Sequence, residues 1–336
     1  MKRISLKDIA KEAGVSVTTV SLVINDKTEK GRISKAVVDR VNEVIKLNNY
    51  QPNTIARSLR TGKTGTIGLI VEDVSNHFFA SISKTIELVA YKNGYKVITA
   101  STDNDDKRSL ELIEMMKLQQ VDGLIVTPTV GSKFAIQDLL NQKKPLVLFD
   151  RFFPDVETSY VVLDNFKGSL DMTNYLLKKG YKNIAFITIQ SSMNQMQNRL
   201  EGYKQALKLH TKSDKNNYVL EFPYESTKLE KFKLLSKFLK TYPKIDALFF
   251  GTNYLGIIGI DYITSKNLLV PKDYGFVSFD DHDLFKFLNP SITVVAQPIE
   301  LLANEAINTL LTLMKSSPNE LIKKSLLPKI IARTSE

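Results

Sequence analysis

The strongest constraint on the fold is the alternation of two kinds of segment from Thr66 onward. Short runs rich in β-branched and aromatic residues are followed by longer stretches with helical spacing of apolar residues. This alternation is typical of parallel sheets with helices on both faces. Strands are predicted in two series, first over 67–71, 96–100, 124–127, 146–149 and 161–163, then over 184–189, 247–250, 276–279 and 293–296. Helices are predicted over 78–93, 106–119, 165–179, 199–210, 226–241, 253–266 and 298–315. The two series predict an α/β body with two lobes.

The first fifty residues have a different, purely helical pattern. Ser5 opens an S-x-x-D capping signal, and Ser16 is the next N-cap candidate after Gly14, which suits a helix end. A third amphipathic helix is predicted over 34–48. Short helices joined by a glycine-containing turn predict a helix-turn-helix head. A three-helix bundle that binds no DNA has the same pattern.

Positive charge is concentrated in the same part of the chain. The 336 residues carry 46 Lys and Arg against 36 Asp and Glu. Residues 1–63 hold 13 basic and 6 acidic residues, whereas the rest holds 33 and 30. This asymmetry favours a nucleic-acid-binding segment attached to a nearly neutral body. Charge alone is equally compatible with a well-solvated N-terminal region.

Residues 50–63 have the character of a hinge. Pro52 ends the preceding helix and Asn53 can cap a new one, which Gly62 ends. About two helical turns are too short to be stable alone in water. A short basic helix with an apolar stripe suits insertion into a DNA minor groove, with a leucine between base steps. Taken alone, the segment also fits an ordinary linker.

Several classes of protein are excluded or disfavoured. The chain has no cysteine, which excludes disulfide scaffolds and thiolate metal sites. It has no apolar run long enough to cross a bilayer and no secretory signal, so we expect it in the cytoplasm. Nucleotide-binding, hydrolase and zinc-protease motifs are missing, so the sequence predicts no enzyme, no cofactor and no metal. The D-D-H-D run over 280–283 is interpreted as a polar loop.

An ordered series of motifs resembles the lactose/galactose repressor (LacI/GalR) family of bacterial transcription regulators. It begins with L-K-D-I-A-K-E-A-G-V-S-V-T-T-V-S-L-V-I-N and Y-Q-P-N-T-I-A-R-S-L-R-T-G-K-T-G-T-I-G-L-I-V. It continues with V-E-D-V-S-N-H-F-F, V-D-G-L-I-V, L-F-D-R, V-V-L-D-N, R-L-E-G-Y, V-S-F-D-D and Q-P. The resemblance therefore covers nearly the whole chain in the family's order.

The resemblance implies a multidomain protein with an all-α helix-turn-helix head and a body like the periplasmic binding proteins. The expected divisions are residues 1–49 for the head, 50–63 for the hinge, and 64–336 for the effector-binding and dimerisation domain. The chain is expected to cross between lobes near 161, 290 and 323. The expected function is a ligand-responsive repressor of carbohydrate-use genes, binding a pseudo-palindromic operator as an allosteric homodimer. The alternative is a cytoplasmic sugar-binding protein without a DNA role.

The expected DNA contacts lie on the first two helices and the hinge. The resemblance implies that Val17, Thr18 and Leu22 face the bases and that Leu59 is the leucine that enters the minor groove. Leu22 replaces the Arg or His of other members, so no bidentate guanine contact is expected from it. The full predicted set is Ser5, Ser16, Val17, Thr18, Thr19, Ser21, Leu22, Asn25, Ala56, Arg57, Leu59 and Arg60.

The expected effector site follows from the rule that ligands of open α/β sheets bind beyond the carboxyl ends of strands. That rule selects positions after four predicted strands, and the resemblance adds Arg199 and Phe249. The predicted set is Phe78, Phe79, Asp150, Arg151, Arg199, Phe249, Asn253 and Asp280. Carboxylates, arginines and aromatic rings together suit a sugar or sugar derivative. The three phenylalanines are equally compatible with core positions.

The dimer surface is expected on apolar helix faces of the lobes, including Ile82, Ile86 and Val89. The same stripe would also suit ordinary core.

Overall fold

The computed structural model describes residues 4–25, 27–29, 31–50, 62–211, 218–315 and 321–336. The chain divides into two compact units, Met1–Thr64 and Gly65–Glu336. The predicted hinge residues Ala56, Arg57, Leu59 and Arg60 lie outside the described residues.

The N-terminal unit contains three short helices around one apolar core. They are α1 (Leu6–Glu12), α2 (Val17–Ile24) and α3 (Lys35–Leu47). Ile9, Val20 and Val41 from the three helices are fully buried together. Gly14 has φ +64° in the turn between α1 and α2, a backbone conformation that favours glycine. The predicted helix-turn-helix head is confirmed.

The first lobe of the body is a parallel sheet with helices on both faces. Its strands are β1 (Thr66–Val71), β2 (Lys96–Ser101), β3 (Gly123–Val126), β4 (Leu146–Phe149), β5 (Ser159–Leu163) and β11 (Lys323–Leu326), in the order β11-β5-β4-β3-β1-β2. The helices are α4 (His77–Lys92), α5 (Asp106–Leu118), α6 (Lys133–Asn141) and α12 (Ile299–Leu313), with a 3₁₀ turn at Val130–Ser132. Buried residues of β1 alternate between the two faces of the sheet. Ile67, Leu69 and Val71 join the core with α4 and α12, and Ile70 joins the core with α5 and α6.

The second lobe repeats this architecture. Its strands are β6 (Ile184–Ile189), β7 (Tyr218–Phe222), β8 (Ala247–Phe250), β9 (Gly275–Phe279), β10 (Thr293–Ala296) and β12 (Lys329–Ile331), in the order β12-β10-β9-β8-β6-β7. Only β12 is antiparallel to its neighbour among the described pairings. The helices are α7 (Asn165–Lys178), α8 (Asn194–Thr211), α9 (Lys228–Thr241), α10 (Asn253–Ser265) and α11 (Asp283–Phe287). The expected pair of α/β lobes is confirmed.

The described chain passes between the lobes three times, as expected, but a few residues later than predicted. It leaves the first lobe after β5, returns between β10 and α12, and leaves again between β11 and β12. Each of the three crossings begins at the carboxyl end of a parallel strand. The carboxyl ends of the strands in both lobes therefore face a common cleft.

The structure corrects the predicted dimer stripe. Ile82 and Ile86 are fully buried in the core formed with α12, and Val89 is half-buried against the same core. The large apolar residues of α4 that are exposed are Leu88 and Tyr91, at 49% and 79% exposure.

Candidate DNA-binding and ligand-binding sites

The N-terminal end of α2 presents short side chains to solvent. Ser16 caps the helix, since its Oγ accepts a hydrogen bond from the Thr19 backbone N–H at 3.1 Å. The Thr19 and Ser16 hydroxyls also bond to each other at 2.9 Å, so the Thr19 hydroxyl has a partner within the protein. Val17 and Thr18 are exposed and Ser21 is half-buried. Of the residues predicted to contact bases on α2, Val17 and Thr18 are therefore the most exposed.

Leu22 has a second role in packing. It is half-buried, and a Cβ placed on Gly31 would lie only 2.7 Å from Leu22 Cδ1. The leucine side chain thus packs against the backbone of Gly31. A larger residue at position 31 would displace the leucine side chain. Asn25 ends α2 and donates from its Nδ2 to the Ser21 carbonyl at 2.6 Å.

Ser5 fixes the start of α1. Its hydroxyl and backbone N–H both donate to Asp8 Oδ2, at 2.7 and 2.8 Å, while the Asp8 N–H donates back to the Ser5 hydroxyl. This reciprocal arrangement is the capping box that the S-x-x-D pattern predicts.

The inner chamber of the cleft contains residues from both lobes. It brings together seven of the eight predicted effector residues, namely Phe78, Phe79, Asp150, Arg151, Arg199, Asn253 and Asp280. Asp150 follows β4 directly and Asp280 follows β9 directly, so equivalent strand ends of the two lobes supply the two aspartates. Arg199 comes from the first half of α8.

Arg199 is buried and held by several acceptors of the second lobe. Its Nε donates to Asn165 Oδ1 at 2.8 Å, and its Nη1 donates to the Gly251 carbonyl at 2.7 Å and to Asp280 Oδ2 at 3.2 Å. The guanidinium also lies 3.7 Å from the centroid of the Phe279 ring. The other Asp280 oxygen accepts from Gln297 Nε2 at 2.6 Å. The arginine and the aspartate are therefore fixed before any ligand enters.

Arg151 is a second buried arginine of the chamber and is held by acceptors of the first lobe. Its Nη1 donates to Asn104 Oδ1 at 2.8 Å and its Nη2 to Glu72 Oε2. Its Nε lies 3.6 Å from Asp150 Oδ2 but makes no hydrogen bond. Burial raises the pKa of Asp150 to about 6, against the opposing attraction of Arg151 and Arg199.

Phe249 is the predicted residue that the structure does not bring to the chamber. It is fully buried in the core beneath α7 and α8, with its ring 5.1 Å from Phe186 in an edge-to-face contact. Side chains along β8 alternate between the two sheet faces, and the Phe249 position faces this core.

The structure adds chamber residues that the sequence reasoning missed. They are Glu72, Asn104, Gln195, Tyr224, Tyr254 and Gln297. Glu72 directly follows β1, so the strand-end rule already contained a signal for it. Tyr224 follows β7, a strand that was not predicted, and Gln195 lies in the first turn of α8, which begins five residues before the predicted start. Burial, with a contribution from Glu72, raises the pKa of Tyr224 to about 12.

An outer chamber of about 470 Å³ adjoins the inner one and shares Glu72, Asn76, Tyr224 and Tyr254 with it. Its wall includes His77 from the first lobe and His282 from the second, whose ring centroids lie 5.4 Å apart.

The D-D-H-D run is a structural loop. Asp281 pairs with Arg333 at 2.7 Å, and His282 caps α11 by accepting from the Leu284 N–H. Within the described ranges, no group of three or more His, Asp or Glu side chains is arranged to hold a metal ion. No helix among those ranges combines the length and apolar character that crossing a bilayer requires.

Comparison with known proteins gives two domain matches. Residues 5–53 match the bacterial regulatory proteins of the lacI family, and residues 173–335 match the periplasmic binding protein-like domain. The chain is 32% identical to the HTH-type transcriptional regulator RegA of Clostridium saccharobutylicum, over 97% of this chain and 98% of that protein.

Solved structures agree with this match. The transcriptional regulator CelR in complex with cellobiose has a TM-score of 0.71 and 25% identity, covering 99% of this chain and 100% of CelR. The lac repressor dimer bound to operator and the anti-inducer ONPF shares the fold, with a TM-score of 0.85 at 20% identity over 99% of each chain. The chain therefore belongs to the lacI family of bacterial regulatory proteins and is a DNA-binding transcription regulator.

Proposed function

We propose that this regulator is a cytoplasmic repressor of carbohydrate-use genes, which binds a pseudo-palindromic operator as a homodimer and responds to a sugar-like effector. The observation that carries the proposal is the polar cleft between the lobes of the body, in a chain that also has a helix-turn-helix head. A ligand in that cleft contacts both lobes and so favours one arrangement of them over others. The protein acts by binding in this proposal, without catalysis.

The chemistry of the inner chamber supports a sugar-like effector. Arg199, Asp280 and Asn253 supply fixed donors and acceptors, and Phe78 and Phe79 supply apolar ring surface, as carbohydrate sites require. CelR, a relative in fold and sequence, is described in complex with cellobiose. We assign Phe78, Phe79, Asp150, Arg151, Arg199, Asn253 and Asp280 to effector binding.

In this proposal, three segments of the chain have separate functions. Residues 1–49 read the operator through α2, residues 50–63 form the hinge, and residues 64–336 bind effector and dimerise. Val17 and Thr18 contact base edges, and apolar contact with thymine methyl groups is the readout that Val17 and Leu22 allow. Lys and Arg of residues 1–63 supply attraction to phosphates.

DNA binding is the decisive test. Duplexes selected from a random pool for binding to the full chain should contain a two-fold related sequence, and fluorescence anisotropy should show affinity falling steeply with salt. Leu59→Ala should weaken binding to the selected duplex while leaving weak binding to random duplex nearly unchanged, because a minor-groove wedge supports DNA bending rather than phosphate attraction.

Two results would contradict the proposal. Failure to bind any duplex DNA would favour the alternative, a sugar-binding protein without a DNA role. Equal losses on selected and random duplex for Leu59→Ala would remove the wedge assignment.

A further inference from the structure

We propose that the cleft selects an uncharged, polyhydroxylated effector and discriminates against phosphorylated or carboxylated sugars. This inference rests on the proposed function, because it specifies the ligand of the same cleft. The carbohydrate-like lining of the site is compatible with both neutral sugars and sugar anions. The inference selects the neutral sugars.

The two arginines of the inner chamber are already neutralised by carboxylates of the protein. Arg199 donates to Asp280 and to two further acceptors, and Arg151 donates to Glu72 and Asn104. An anionic ligand would have to compete with these carboxylates for guanidinium groups that are 2–3% exposed. Breaking such a buried pair leaves an uncompensated carboxylate, which is strongly unfavourable.

After these two pairs are formed, the inner chamber retains a net negative charge. The charged residues around the inner chamber are three carboxylates and two arginines, because Asp150 adds a carboxylate to the pairs Arg199–Asp280 and Arg151–Glu72. The pKa of Asp150, raised to about 6, still leaves that group mostly ionised at neutral pH. An incoming phosphate therefore meets an excess of negative charge in a poorly solvated cleft, where like charges repel strongly.

The outer chamber does not reverse this balance. Its wall includes three carboxylates, Glu72, Asp73 and Asp103, against one lysine, Lys231, and the two histidines His77 and His282. The Lys231 ammonium donates to the Ser226 carbonyl, and burial lowers the pKa of Lys231. Lys231 is thus held by the protein backbone in an environment that disfavours its charge.

Two buried polar atoms of the inner chamber residues have no hydrogen-bond partner within the described part of the chain. Arg151 Nε is a donor and Gln195 Oε1 is an acceptor, and both residues line the inner chamber. A ligand hydroxyl that reaches these atoms accepts from the first or donates to the second, whereas an ionised phosphate or carboxylate in the same position can only accept. Because an unsatisfied buried polar atom is costly, the chamber favours a ligand rich in hydroxyl groups.

Paired ligands test the inference directly. The full chain is screened by thermal shift and then calorimetry with D-glucose, D-ribose, D-fructose and their phosphate esters, with D-gluconate and D-glucuronate, and with cellobiose, maltose and sucrose. At least one uncharged probe should raise the melting temperature, and its charged counterpart should bind about tenfold more weakly or worse. A charged probe that binds as tightly as its neutral parent, or a panel without any neutral hit, overturns the inference.

Variants add a readout of mechanism. Gln195→Ala should weaken the neutral hit by about tenfold, the loss typical of one buried hydrogen bond. Gln142→Ala is the matched control, because Gln142 bonds Asp138 on the surface of the first lobe. Glu72→Gln should reduce the discrimination against the charged counterpart, since it frees Arg151 from its carboxylate. Unchanged discrimination in Glu72→Gln and unchanged affinity in Gln195→Ala would each contradict the assigned roles.

Operator binding by the same preparations shows that each variant is folded and separates the two proposals. Neutral-sugar selectivity without DNA binding would refute the regulatory function and leave the ligand class standing. DNA binding that responds to a sugar phosphate would support the regulatory function and overturn the proposed ligand class.

Discussion

Two aspartates at corresponding strand ends have different roles in the cleft. Asp150 after β4 and Asp280 after β9 have φ of +67° and +66°, a left-handed conformation that Asp adopts more readily than most residues. Asp280 accepts from Arg199 and Gln297 and so fixes the arginine. Among the described residues, the Asp150 carboxylate has only the 3.6 Å ion pair with Arg151, so its oxygens are available to accept from hydroxyls of the proposed ligand.

The raised pKa of Asp150 predicts a pH-dependent contribution to stability. The folded-state pKa is about 6 and the unfolded value is 3.8. Between these values the folded protein binds a proton that the unfolded chain does not, so this contribution to the free energy of unfolding increases as pH falls from about 6 to about 4. At pH 8 the buried charge costs about 3 kcal/mol.

Asp150→Asn should therefore be more stable than the native protein at pH 8, and this advantage should shrink toward pH 4.5. Thermal unfolding of both proteins across that pH range measures their difference in stability. The acid sensitivity of the other carboxylates is common to both proteins and cancels in this difference. A constant difference between the two proteins at all pH values would show that burial of the Asp150 charge is not the cause.

Under the proposed operator contacts, we expect Leu22 to limit what α2 can read from DNA. Its apolar side chain offers contact with a thymine methyl group and no hydrogen bond. Leu22→Arg should shift preference toward guanine at one position in each half-site, with discrimination of about 1–3 kcal/mol from a bidentate contact. Selection from a random duplex pool with both proteins measures the shift. Glu43→Ala, a change at an exposed position of α3 in the same unit, serves as the control. An unchanged half-site in Leu22→Arg would mean that this position does not face the bases.

At the level of elements, Gly202 explains how Arg199 reaches its partners. Arg199 lies on α8, whereas its acceptor Asn165 opens α7. The two helices pack so closely that a Cβ on Gly202 would lie 2.2 Å from the Phe166 carbonyl oxygen. The glycine of the R-L-E-G-Y motif thus allows the helix contact that brings arginine and asparagine together.

Gly202→Ala should push α7 and α8 apart, because the close neighbour is backbone and cannot rotate away. We expect a loss of about 1–3 kcal/mol in the free energy of unfolding, as for other overpacked sites, together with weaker effector binding. Chemical denaturation and calorimetry measure the two effects. Lys208→Ala on the exposed face of α8 is the control. Native stability in Gly202→Ala would show that the helices accommodate the methyl group easily.

Some elements were predictable from local sequence and others were not. Leu146–Phe149, Ile184–Ile189, Ala247–Phe250 and Thr293–Ala296 are short apolar runs, and their predicted bounds are confirmed. The strand β11 has the mostly polar sequence K-K-S-L and β12 is only three residues long, so neither gives a strand signal of that kind. The strand-end rule selected Asp150 and Asp280, but the face of the sheet occupied by Phe249 depends on packing with helices distant in sequence.

At the scale of the whole molecule, the repeated crossing of the chain between the lobes gives the cleft its composition. Glu72, Asn104 and Arg151 follow strands of the first lobe, whereas Arg199, Tyr254 and Asp280 belong to the second. No local sequence pattern shows that Arg151 and Arg199 would line the same chamber. The family motifs supplied that information, and Gln195 and Tyr224, which lie outside them, were missed.

The exposed apolar face of α4 predicts where two copies of the chain meet. Leu88 and Tyr91 are exposed, whereas Ile82 and Ile86 on the same helix are buried under α12. Large exposed apolar side chains close together on a helix are typical of interaction surfaces. A two-fold dimer is also the usual way in which helix-turn-helix proteins recognise paired half-sites. We therefore expect the native protein to be a dimer whose interface includes Leu88 and Tyr91.

The double substitution Leu88→Asp and Tyr91→Asp should convert this dimer into a monomer, because four buried carboxylates at one two-fold interface repel one another and lose water. Sedimentation at micromolar concentration measures the change, and binding to the selected operator should weaken with it. Leu118→Asp is the matched control, since Leu118 is 75% exposed on α5, which packs on the other face of the same sheet. A double variant that remains dimeric, or a Leu118 variant that dissociates, would place the interface on a different face of the body.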